Sequence, residues 1–121
     1  MVKVLIINAD KSVRAVMAEC LERYIPAIFV TESIDEAWNI FLKEKPMTCI
    51  IDPVGIKKSL VMSWKDFIRK GKTTDTTSRF WVAVFLNDRL GEEAKTAGAD
   101  EIVFDVLFEP DKLVDKILGR T

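Results

Sequence analysis

The chain alternates between short apolar runs and segments in which apolar residues recur with the period of a helix. Apolar runs rich in β-branched residues favour buried strands, and the intervening segments favour amphipathic helices. This alternation is typical of βα units that build one parallel sheet. We therefore predict five strands, at about 3–7, 27–31, 47–51, 80–86 and 101–104.

Five helices are predicted to follow these strands, at about 11–24, from Ser33 onward, at about 59–70 and 90–97, and from Pro110 onward. Ser33 and Glu36 have the spacing of a capping box, which satisfies the first free amides of a helix. Residues 71–79 are polar and are predicted to form a surface loop. The apolar residues predicted to face the sheet are Val13, Val16, Met17, Cys20, Leu21 and Tyr24 in the first helix, Ala37, Trp38, Phe41 and Leu42 in the second, and Leu60, Val61, Trp64, Phe67 and Ile68 in the third.

Two of the predicted strands run into polar residues, the first into Asn8-Ala9-Asp10 and the third into Asp52. A five-stranded parallel sheet with helices on both faces most often has the order 2-1-3-4-5, the doubly wound, flavodoxin-like α/β fold. The winding direction then reverses between the first and third strands, which is where such folds bind ligands. We therefore expect a crevice formed by residues 8–10 and Asp52, with Phe85-Leu86 as its adjoining wall.

Composition and charge exclude several classes of function. The 121 residues suffice for one domain, and 18 Lys plus Arg against 19 Asp plus Glu give no electrostatic case for nucleic acid or an anionic membrane. No apolar run approaches the roughly 18 residues of a membrane span. A strand close to the N-terminus predicts that no signal peptide precedes it. We therefore expect a single cytoplasmic domain.

The residues that most enzymes use for chemistry are scarce. The chain has no histidine, and no glycine-rich phosphate loop follows the first strand. Cys20 and Cys49 lie within apolar patterns and are predicted to be free core residues, neither paired in a disulfide nor part of a metal cluster. The sequence therefore predicts no enzyme and no catalytic residues, with a small-ligand-binding flavodoxin-like domain as a weaker alternative.

Four segments together resemble the response-regulator receiver domain of two-component signal transduction, over essentially the whole chain. They are residues 4–10 with Arg14, Asp52 at the end of strand three, Gly98-Ala99-Asp100-Glu101, and residues 108–113. The resemblance implies that Asp52 matches the aspartate that accepts a phosphoryl group. It also implies a protein partner in a signalling pathway or phosphorelay.

Other positions of the receiver pattern are replaced. The resemblance places the family's Mg²⁺-binding acidic pair on Asn8 and Ala9, and Asp10, one place further on, is expected to cap the first helix. It places the strand-four hydroxyl on Phe85, and Ile102 stands at the strand-five aromatic. It places the family's lysine near Asp105 or Val106. The chain therefore resembles a degenerate receiver, or pseudo-receiver, in which Asp52 is a relic.

Loss of the acidic pair has a chemical consequence. Mg²⁺ requires hard oxygen ligands and dehydrates reluctantly, so an amide and a methyl group in place of two carboxylates predict weak or absent binding. Phosphoryl transfer depends on positioning and charge neutralisation. We expect a module that acts by protein–protein interaction and is not regulated by phosphorylation. A working receiver that phosphorylates Asp52 with weak Mg²⁺ binding is the alternative.

Two groups of large apolar residues leave alternatives open. Val106, Leu107 and Phe108 follow strand five, and they are expected either to cover the fourth helix or to form an exposed docking patch, for a partner or for a homodimer. Phe80, Trp81 and Phe85 are expected to pack in the core, with a stacking platform for a base or flavin as the alternative.

Overall fold

The computed structural model describes residues 2–57, 59–83, 88–103 and 110–119. Five parallel strands form one sheet in the order β2-β1-β3-β4-β5, which confirms the predicted flavodoxin-like, doubly wound α/β fold. The elements are β1 Lys3–Ile7, α1 Lys11–Glu22, β2 Ala27–Thr31, α2 Ile34–Glu44, β3 Thr48–Ile51, α3 Trp64–Thr74, β4 Arg79–Ala83, α4 Asp88–Ala97, β5 Glu101–Val103 and α5 Pro110–Leu118. Among the described residues, no helix has both the length and the apolar character needed to cross a bilayer.

Successive side chains of the central strands lie on opposite faces of the sheet. On one face, Leu5 and Ile7 of β1 pack in a cluster with residues of α2, α3 and α4. On the other face, Val4 and Ile6 pack with residues of α1 and α5. Because side chains alternate across a strand, helices on both sides bury both sets, and β1, β3 and β4 are almost wholly apolar.

Four aromatic rings form the centre of the first cluster. Phe41 lies between Trp38, at a centroid distance of 5.4 Å, and Phe80, at 5.6 Å, and Phe67 contacts both Phe41 and Phe80 at 5.9 Å. Phe80 and Trp81 are buried. This confirms that both residues pack in the core.

The two cysteines are free, as predicted. Cys49 is buried in β3, where desolvation raises the pKa of its thiol above the ordinary range. Cys20 is only partly buried on α1.

The helix boundaries correct several predictions. The prediction that α3 spans 59–70 is wrong, because the helix begins at Trp64 and continues to Thr74. Ser63 and Asp66 form a complete capping box there, which fixes the start of the helix. Leu60 and Val61 precede this cap and are exposed, not buried. Residues 71–74, predicted as loop, belong to α3.

Three further side chains that were predicted to be buried are exposed. Helix α1 ends at Glu22, so Tyr24 lies beyond it and is exposed, and Val16 is exposed on α1 itself. Leu42 of α2 is also exposed. The prediction that these three side chains are buried against the sheet is therefore wrong. Strand β4 is described as far as Ala83, so the predicted strand end at Phe85-Leu86 lies outside the described residues.

Candidate functional site

The sheet brings the ends of β1 and β3 side by side, as the predicted strand order requires. Ile7 pairs with Ile51 across the two strands, and the backbone N–H of Asp52 donates to the carbonyl of Ile7 at 2.9 Å. The N–H of Asn8 donates to the carbonyl of Thr31 in β2 at 3.0 Å. Residues 8–10 and Asp52 therefore meet at one edge of the sheet, which forms the candidate site.

Two neighbouring groups fix the orientation of the Asn8 side-chain amide. Its Oδ1 accepts a hydrogen bond from the backbone N–H of Asp10 at 2.8 Å, and its Nδ2 lies 3.4 Å from Oδ2 of Asp52. The residue is 4% exposed. The Asp10 amide needs an acceptor and the Asp52 carboxylate needs a donor, so both contacts favour the same orientation of the amide. Asn8 therefore presents hydrogens to Asp52, whereas a metal ligand would present an oxygen.

Asp10 caps the first helix, as the sequence predicted. Its Oδ1 accepts from the N–H groups of Ser12 at 2.8 Å and Val13 at 3.1 Å. The side chain is exposed. A carboxylate in this position satisfies free amides at the positive end of the helix dipole.

Ala9 faces the loop that leaves β3. A Cβ added to Gly55 would lie 3.4 Å from the Ala9 Cβ, so the loop backbone passes close over this methyl group. Gly55 has φ +76°, a left-handed conformation that glycine adopts without strain. The Ala9 methyl group therefore lies beside this loop at the distance of an ordinary van der Waals contact.

Asp52 is half-buried and accepts hydrogen bonds at both oxygens. Oδ1 accepts from the N–H of Val54 at 3.0 Å, and Oδ2 faces the Asn8 amide. Burial raises the pKa of the Asp52 carboxyl above its ordinary range, and the Val54 hydrogen bond offsets part of this rise. The charged form of Asp52 is therefore less favourable in the folded protein than in the unfolded chain.

This shift predicts a pH dependence. The folded protein holds the Asp52 proton more tightly than the unfolded chain does, so ionisation lowers the free energy of unfolding as pH rises from about 4 through the folded pKa. Asp52→Asn removes the titration, and we expect its unfolding free energy to rise relative to that of the wild type between pH 4 and pH 7. Urea denaturation at both pH values measures the difference.

Asp66→Asn is a control for which we expect a change in unfolding free energy of the opposite sign. Hydrogen bonds from Ser63, first from its backbone, lower the pKa of the Asp66 carboxyl. Its ionisation therefore stabilises the fold as pH rises toward the unfolded pKa of about 4, and Asp66→Asn is expected to lose stability relative to the wild type over that lower range, between about pH 2 and pH 4. A shift of the same sign in both variants contradicts the assignment.

Two cations near the site share one carboxylate. Arg14 donates from Nη1 to the carbonyl of Asn8 at 2.7 Å and lies 3.9 Å from Glu32, whose other oxygen is 3.3 Å from Lys57. The pattern of residues did not predict these contacts, because they depend on how the loops after β2 and β3 approach β1. These contacts link α1 to the end of β1 and to the loops after β2 and β3.

Of the other sequence-predicted positions, only Ile102 is described. It is partly buried on β5 and packs against the cluster that contains α2, α3 and α4. Phe85, Asp105 and the patch of Val106, Leu107 and Phe108 lie outside the described residues. Within the described ranges, no group of three or more His, Cys, Asp or Glu side chains is placed to hold a metal ion.

Several solved structures share this architecture. A two-component response regulator from Clostridium difficile matches with a TM-score of 0.80 and 18% identity, and the match covers 99% of this chain and 98% of that one. The chemotaxis protein CheY4 of Vibrio cholerae matches at 0.77 and 18%, covering 100% and 99%. The BeF3-activated DrrB receiver domain of Thermotoga maritima matches at 0.73 and 20%, covering 99% of each chain.

No family model matches this sequence, and no curated protein matches it either. The structural matches, at 18–20% identity, establish the receiver fold. The chemistry of each position must therefore be judged from the contacts of this chain's own residues.

Proposed function

We propose that this chain, which has the receiver fold, is a signalling module that acts by contact with protein partners and is not switched by phosphorylation of Asp52. The observation that carries the proposal is the orientation of Asn8. Its oxygen is engaged by the Asp10 amide, and its NH₂ group is directed at the Asp52 carboxylate. The amide hydrogens thus give the Asp52 carboxylate the positive partner that a bound cation would otherwise provide.

The neighbouring residues do not complete a cation site. Ala9 offers a methyl group, and the Asp10 carboxylate is engaged with the amides of Ser12 and Val13. An octahedral Mg²⁺ needs several hard oxygen ligands and enough negative charge to offset its dehydration. Asp52 alone does not fit this requirement. The proposed module therefore binds Mg²⁺ weakly or not at all.

The consequence for phosphoryl transfer follows from charge. Transfer to a carboxylate is catalysed mostly by positioning and by neutralising the charge on the transferred group. Without a metal, Asp52 would have to approach a phosphodonor with its own negative charge unscreened. Contact through the surface of α4, β5 and α5, which we propose as the partner-binding face, requires no such step.

Phosphorylation of Asp52 remains the second candidate, and one observation favours it. The carboxyl group stands at the carboxyl end of β3, half-buried at the crevice between β1 and β3, where the resemblance places the acceptor. Its geometry alone would permit attack on a small phosphodonor. The argument against this candidate is that the crevice lacks the negative charge needed to hold a metal ion.

Intact mass spectrometry separates the two candidates. We expect the wild type to show no added phosphoryl group after incubation with acetyl phosphate and about 10 mM Mg²⁺, a concentration well above that at which Mg²⁺ fills an adequate carboxylate site. Asp52→Ala is the matched control for modification elsewhere. A phosphoryl group that appears on the wild type and is absent from Asp52→Ala would establish the second candidate.

A further inference from the structure

We draw no further inference here: the strongest candidate, the exposed apolar surface that Leu60 and Val61 form on the loop between β3 and α3, beside a groove lined by Ile56 and Trp64, carries no proposal because nothing in the structure shows what covers it.

Discussion

Replacing Asn8 and Ala9 together by aspartate is expected to give a protein that is less stable without metal and is rescued by Mg²⁺. A carboxylate at position 8 can still accept from the Asp10 amide, but it replaces the hydrogens that Asn8 directs at Asp52 by a negative oxygen. Three clustered carboxylates at an effective dielectric constant near 20 repel by about 1–3 kcal/mol in total after partial screening. We expect a matching loss in the free energy of unfolding.

Mg²⁺ should reverse this loss in the variant alone. A ligand present at 100 times its dissociation constant stabilises the folded state by about 2.7 kcal/mol, which raises the melting temperature of a domain of this size by about 8 °C or more. Thermal melts with and without 10 mM Mg²⁺ measure the effect. Asn39→Asp/Leu42→Asp, which adds negative charge on the exposed side of α2, should not respond. Equal responses from both variants would show that the rescue is not specific to the crevice.

Gly71→Ala is expected to destabilise the fold by about 1–3 kcal/mol, although alanine usually stabilises a helix relative to glycine. Gly71 lies inside α3, where an added Cβ would lie 2.3 Å from Cζ of Phe80 and 2.7 Å from its Cε1. The Phe80 ring is fully buried against Phe41 and Phe67 and cannot retreat. We therefore expect a melting temperature lower by roughly 5–10 °C.

Gly91→Ala is the matched control for this prediction. Gly91 lies inside α4, and an added Cβ there meets no atom of the described residues within 4 Å, so the change should stabilise by about 0.4–1 kcal/mol. In a double-mutant cycle, Phe80→Leu should relieve much of the cost of Gly71→Ala, since the shorter side chain leaves room for the methyl group. If the losses in the free energy of unfolding are additive in that cycle, the destabilisation does not arise from the contact between residues 71 and 80.

The sequence predicted the sheet because its signal is local and strong. Each strand is a short apolar run, and the alternation with helical segments admits few arrangements besides 2-1-3-4-5. The Asp10 cap was predicted for the same reason, since a carboxylate at the start of a helix needs only adjacent amides.

The error at the start of α3 arises because side-chain hydrogen bonds to nearby amides outweigh the spacing of the apolar residues. Leu60 and Val61 continue the helical spacing of Trp64 and Phe67, but Ser59 binds the amides of the loop and Ser63 starts the helix. The S-x-x-D spacing of Ser63 and Asp66 was the available signal for the true start. The orientation of the Asn8 amide could not be predicted, because it depends on the Asp10 backbone and on Asp52 across the sheet.

The proposed function requires that the crevice beside Asp52 have too little negative charge to hold a divalent cation. Isothermal titration of Mg²⁺ into the wild type at neutral pH and low ionic strength measures this directly. We expect no binding isotherm up to about 10 mM, a concentration at which weak carboxylate sites for hard cations fill. Saturable binding with one equivalent and a dissociation constant below about 1 mM, lost in Asp52→Ala, would contradict the proposal.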